Sequence, residues 1–203
     1  MSRTPAEQTP DRSQLAALSD DQALALGRSV NPGIPLGRPG HGWLWPVMLT
    51  VGQVLRVRYA IEQSGRDRVA PGPAIVVSNH RSALDPGLTV IATGWRASAF
   101  TKAEVYDSPF GRFFAAMGQI PLRRGDEAST DWALDQARRI LAAGGVVGVY
   151  PEGTRGPDDD ALYRLHHRVL VPLLRESPEV PVHALAIRYR PAQIGRASCR
   201  ERV

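Results

Sequence analysis

The chain has 203 residues, enough for one domain with its own hydrophobic core. An apolar share of 43% beside 22% charged residues is the balance of a globular protein and excludes a disordered chain. The net charge of +5 rests on 24 arginines and one lysine, Lys102. Guanidinium binds phosphate bidentately, so phosphorylated substrates, anionic lipid and nucleic acid all stay open as partners.

Cys199 is the only cysteine, so no intrachain disulfide forms and an oxidising compartment is not implied. Residues 1–30 lack the apolar core of a signal peptide. Residues 1–40 are rich in Pro, Gly, Arg and Ser and read as mostly flexible. Within them "QLAALSDDQALAL" suits a short helix, and "NPGIPLGRPGHG" breaks its continuation. The most apolar stretch, "WLWPVMLTVGQVL" from Trp43 to Leu55, is too short to span a bilayer as a helix. Two tryptophans at one end, with Arg56 and Arg58 beyond the other, suit a membrane interface; a core helix suits the same residues equally.

From residue 70 the pattern becomes regular. "GPAIVVS" reads as a buried strand, and Asp85 before Pro86 as a helix start. "ASAFTK" reads as a second strand, "PFGRFFAAMG" as a short helix closed by Gly118, and "QIPL" as a short extended piece. "ASTDWALDQARRILAAGG" is the clearest helix, with Trp132, Leu134, Ala137, Ile140 and Leu141 on one apolar face. "VVGVY" is another buried strand, "ALYRLHHRVLVPLL" a helix interrupted at Pro172, and "VPVHALAIRY" a final strand. Strands alternating with helices predict an α/β fold: a largely parallel mixed sheet flanked by helices. Ligands of such sheets collect at the carboxyl ends of the strands, where "NHRSALD" and "YPEGTR" both fall.

His80 follows a strand directly, so its backbone is held rigidly while its ring reaches solvent, as a general base needs. A carboxylate on the other ring nitrogen fixes the tautomer and stabilises the imidazolium that forms. Asp85 is near enough in sequence to serve, and equally placed to be a plain helix cap. In "YPEGTRGP", Glu152, Thr154 and Arg155 surround Gly153 just past a strand, where amides and a guanidinium converge on an anion or form a surface turn. Arg123 and Arg124 in "IPLRRG" are a substrate contact or a solvated pair. "AAGGVVG" runs helix–glycines–strand, the reverse of a dinucleotide-binding loop. His166 and His167 have no matching Cys or carboxylate array, so no metal is expected.

Together these segments resemble the glycerolipid acyltransferase family, whose best-known members are the 1-acylglycerol-3-phosphate (lysophosphatidate) acyltransferases. "NHRSALD" is similar to its first motif, a His and an Asp with four residues between them, and "YPEGTRG" to its third. "GQIPLRRG" resembles the second, with Arg124 at the motif position, and "VPVHALAIRY" around Pro181 the fourth. "LYRLHHRV" departs from the basic-then-glycine sequence usual after the third motif.

The resemblance implies a fatty acyl group moved from acyl-CoA or acyl carrier protein to the hydroxyl of lysophosphatidate. His80 would be the base and Asp85 its orienting group. Arg124, Glu152, Gly153, Thr154 and Arg155 would form the phosphate pocket, with Glu152 orienting an arginine or a backbone amide. It implies no cofactor and no metal, since a thioester already has a good leaving group. It also implies a peripheral position on the cytoplasmic face of a membrane. A nucleic-acid partner is not expected, since that reading rests only on charge and finds no aromatic–basic motif in support.

Glycerol 3-phosphate or another lysolipid as acceptor, and a non-catalytic protein binding anionic lipid, are the competing expectations. The expected organisation is a flexible region over 1–40, an acyltransferase domain over 41–190 truncated at its C-terminal end, and a tail over 191–203. That tail ends in "IGRASCRERV", basic and unpatterned: foreign sequence, or a native flexible end.

Overall fold

The computed structural model describes residues 11–58, 61–69, 71–83, 85–156 and 164–189. The tail over 191–203, with Cys199, lies outside them.

The amino-terminal segment differs from its flexible reading. From residue 11 it holds two capped helices, α1 (Arg12–Ala17) and α2 (Asp20–Val30). Asp11 and Ser19 each close a capping box with a glutamine three residues on, Gln14 and Gln22, satisfying amides that a helix start leaves bare. Composition averaged over forty residues hides such pairs. Both helices pack on α7 (Glu127–Ala142), the helix read most clearly in the sequence. Trp132 of α7 is fully buried and donates its indole N–H to the Ala23 carbonyl at 2.7 Å. Gly27 lies so close to that ring that an added Cβ would sit 2.4 Å from it. Arg139 reaches back from α7 to the Leu15 and Leu18 carbonyls, 2.9 and 2.8 Å away, and so satisfies the end of α1.

The sheet has five strands in the order β3-β2-β4-β1-β5: β1 (Ala74–Ser78), β2 (Ala97–Lys102), β3 (Ile120–Leu122), β4 (Val146–Val149) and β5 (Val182–Leu185). Every pairing is parallel, so the sheet is not mixed. β4 is buried along its whole length, the mark of a central strand covered on both faces. Between the strands lie α4 (Asp85–Thr93), α5 (Ala103–Tyr106), α6 (Gly111–Ala116) and α8 (His167–Glu176). The main core joins Ile75, Ile120, Val147 and Val149 of the sheet to Trp132, Leu134, Ile140 and Leu141 of α7 and Leu173 of α8.

Two helices depart from the sequence reading in instructive ways. α8 runs through Pro172 rather than stopping there. Proline forfeits the bond to the carbonyl four residues back. Burial of Leu173, with Val169, Leu170 and Leu174 against the core, offsets that loss. α3 (Trp45–Arg58) is buried along one side and open along the other. Trp45 and Gly52 are buried, and Trp45 packs with Val90 and Met117. The opposite side carries Val47, Val51 and Val54, one above another at helical spacing, with Trp43 just before them, all exposed. Among the described residues no helix is long and apolar enough to cross a membrane.

Candidate active site

β4, β1 and β5 are neighbours, so the segments leaving their carboxyl ends meet over one edge of the sheet. Val77 pairs with Val149 and Ser78 with Leu185, which sets "NHRSALD", "YPEGTR" and the segment after β5 side by side. His80 comes from the first of these, Glu152 from the second and Tyr189 from the third.

His80 and Asp85 are together. The imidazole Nδ1 lies 2.8 Å from Asp85 Oδ2. The carboxyl side chain is fully buried and the imidazole is 22% exposed, so one partner is fixed while the other faces outward. The same Oδ2 accepts the backbone N–H groups of Arg81 at 2.5 Å and Ser82 at 2.8 Å, and Oδ1 accepts the Tyr189 hydroxyl at 2.6 Å. Asp85 is therefore more than a cap: it takes donors from the loop before the helix and from beyond β5. Burial alone would raise the Asp85 pKa, but the bonds from His80, the Ser82 amide, Tyr189 and the Arg81 amide outweigh it and hold the carboxyl below its usual range. An ionised acceptor makes Nδ1 the protonated nitrogen and leaves the Nε2 lone pair for a substrate.

Other contacts steady the ring and its loop. The Tyr150 ring lies 4.8 Å from that of His80, tilted by 35°. Its hydroxyl is 3.2 Å from the Thr89 hydroxyl, and burial pushes the phenol up to about 12, so it stays neutral. Glu152, 1% exposed, accepts the His80 backbone N–H on Oε1 at 3.2 Å. Of the two expected partners, an arginine or a backbone amide, the carboxylate meets an amide here. The His80 carbonyl in turn accepts the Gly156 N–H at 2.8 Å. Gly156 lies close to both side chains: a Cβ there would come within 2.4 Å of Arg81 Nη1 and 3.0 Å of Glu152 Oε2.

The residues expected around phosphate are only partly assembled. Arg124 Nη2 donates to the Gly153 carbonyl, joining the loop after β3 to that after β4. Gly153 sits at φ +61°, and a Cβ there would be 2.6 Å from Arg124 Nη2 and 3.2 Å from His166 Cδ2. Thr154 and Arg155 are exposed and make no hydrogen bond or ion pair among the described residues. Arg123 turns elsewhere: its amide bonds the Ser129 hydroxyl at 3.0 Å and its guanidinium the Pro32 carbonyl at 3.4 Å.

Sequence reasoning passed over Tyr189, Tyr150 and Asn79. Asn79 makes a two-way bond with Ile187, donating to its carbonyl at 2.8 Å and accepting its N–H at 2.7 Å. The only signal for Tyr189 was a phenol just past the carboxyl end of a strand, where this fold class gathers its ligands.

Fold and geometry define an α/β protein with a histidine–carboxylate pair at the strand ends, an arrangement that can serve general-base chemistry. The profile of the family described as Acyltransferase matches residues 60–187, and the chain belongs to that family. Over 87 residues, 42% of the chain, it is 36% identical to a chloroplastic 1-acyl-sn-glycerol-3-phosphate acyltransferase of Arabidopsis thaliana. It is 33% identical over 87 residues to a chloroplastic protein of the same description from Brassica napus. These stretches cover 24% and 25% of the two relatives, so the chain spans about a quarter of their length.

Proposed function

We propose that the protein transfers a fatty acyl group from an acyl-CoA or acyl carrier protein thioester to the free hydroxyl of lysophosphatidate, giving phosphatidate. His80 Nε2 takes the hydroxyl proton as the oxygen attacks the thioester carbonyl. The C–O bond forms, the C–S bond breaks, and the departing thiolate takes the proton back from the imidazolium. Asp85 keeps the imidazole in the productive tautomer and stabilises its charged form in between. Base assistance of this kind contributes about 10²–10⁴ in rate. Arg124, Thr154 and Arg155 bind the acceptor's phosphate around Gly153, and Glu152 acts on the loop rather than on phosphate, which a carboxylate repels. No metal or cofactor takes part.

The observation that carries the reading is the 2.8 Å bond from a partly exposed imidazole to a fully buried carboxylate, within the stretch that matches the family. The names of the two plant relatives support the choice of acceptor. For a lipid substrate, the outward stripe of Trp43, Val47, Val51 and Val54 suits peripheral docking on a membrane surface.

The test is to incubate purified protein with acyl-CoA or acyl carrier protein thioesters and a panel of acceptors, with products read by mass spectrometry. Phosphatidate formed from lysophosphatidate and lost in His80→Ala is the expected result. Product only from glycerol 3-phosphate or another lysolipid would replace the acceptor. Binding to anionic vesicles with no ester formed would replace the activity.

A further inference from the structure

We propose that Tyr189 is a positioning residue that sets the hydrogen-bond geometry of the His80–Asp85 pair from across the sheet; this rests on the function proposed above.

The two oxygens of Asp85 divide their donors. Oδ2 faces His80 and the loop amides, and Oδ1 takes the Tyr189 hydroxyl at 2.6 Å. A carboxylate held on one oxygen only could pivot about its own bond. One held on both has a single orientation, and the imidazole inherits it. The phenol is itself aimed. Ile187, two residues before it, is clamped by the two-way bond to Asn79, and Asn79 directly precedes His80. The segment leaving β5 and the one leaving β1 are therefore tied twice, once through backbone at Ile187 and once through the phenol. Burial, and the neighbouring Asp85 carboxylate, push the Tyr189 phenol upward, so it stays protonated and able to donate at neutral pH.

A phenol in this place does what Asn or Ser would do less well. It spans from the last strand to the start of α4 with a rigid ring, at the cost of freezing only two side-chain torsions. It also holds an oxygen that would otherwise be a buried acceptor without its donor.

The experiment compares wild type with Tyr189→Phe, which keeps the ring and deletes the hydroxyl. Two readouts are taken: steady-state kinetics, and the low-field Nδ1–H proton resonance of His80, assigned by its loss in His80→Ala. We expect kcat to fall about ten-fold, the scale of one charge-assisted hydrogen bond, with KM for both substrates unchanged. The His80 resonance should shift or broaden. An unmoved resonance with kcat within two-fold of wild type overturns the inference. So does a rise in KM at constant kcat, which would put Tyr189 in substrate binding. Labelled tyrosine in the wild-type protein gives a check that no folding defect can obscure: a slowly exchanging phenol proton at Tyr189 is expected, and rapid exchange overturns the proposal. If wild type forms no ester while the His80 resonance still moves in Tyr189→Phe, the proposed reaction fails and the positioning role stands.

Discussion

The loop after β1 and the loop after β4 lie side by side, yet they are built to different standards. In the first, His80 is gripped at ring, amide and carbonyl, by Asp85, Glu152 and Gly156. In the second, Glu152 is fully buried, while Thr154 and Arg155, two and three residues on, are exposed and make no hydrogen bond or ion pair among the described residues. The contrast separates two tasks. A proton-transfer group must sit within about half an ångström of its working position before substrate arrives. A phosphate-binding guanidinium on a long side chain can be ordered by the phosphate it binds. On the proposed function, rigidity is concentrated where geometry decides rate, and looseness where a ligand supplies the missing contacts.

Variants on the two sides should fail in different ways. The largest effect is expected from His80→Ala, with kcat down about 10²–10⁴-fold and KM little changed, measured by initial rates over a range of acceptor concentrations. Next comes Asp85→Asn, which presents an amide N–H₂ where four donors now converge. A kcat loss of about 10²-fold is expected, together with a lower Tm by calorimetry, since any buried donor left unmatched costs about 1–3 kcal/mol. If Asp85→Asn kept full turnover, the first loop would be no better organised than the second.

On the other side, Arg124→Ala and Arg155→Ala are expected to raise the acceptor KM by about ten-fold with kcat nearly constant, the signature of lost uniform binding. Should either lower kcat alone, the distinction between a preset base and a ligand-ordered clamp would fail. The smallest effect concerns pH and stability. Asp85 is held below its reference value of 3.8, so its ionised form contributes stability that is fully present above that value and lost as pH falls through the folded one. Tm of the wild type should therefore fall more steeply between about pH 5 and pH 2 than that of Asp85→Asn. Parallel slopes would mean that the carboxylate is no better held when folded than when unfolded.

Much of this site was legible beforehand because its parts are short and local. His80 and Asp85 stand in one seven-residue segment, and the strand before it is an unbroken apolar run. The capped helices at Arg12–Ala17 and Asp20–Val30 were legible too, through their Asp–Gln and Ser–Gln pairs, but were masked by a proline- and glycine-rich average. α3 resisted assignment for a different reason. It is apolar on two opposite faces, one covered by Val90 and Met117 and one open, and periodicity cannot tell a doubly apolar helix from a buried one.

By itself the sequence determined the strand and helix alternation, a largely parallel sheet and a histidine with a carboxylate within reach five residues away. Those follow from side-chain periodicity, helix starts and the reach of a tight loop, all of them interactions between near neighbours. Tertiary structure alone decided that β1 lies between β4 and β5, and so that Glu152 holds the His80 amide and Tyr189 the far oxygen of Asp85. Those partners are 72 and 104 residues apart along the chain. No local propensity encodes such a meeting; it arises only when hydrogen bonding and burial select one order of strands from the many that the same segments could form.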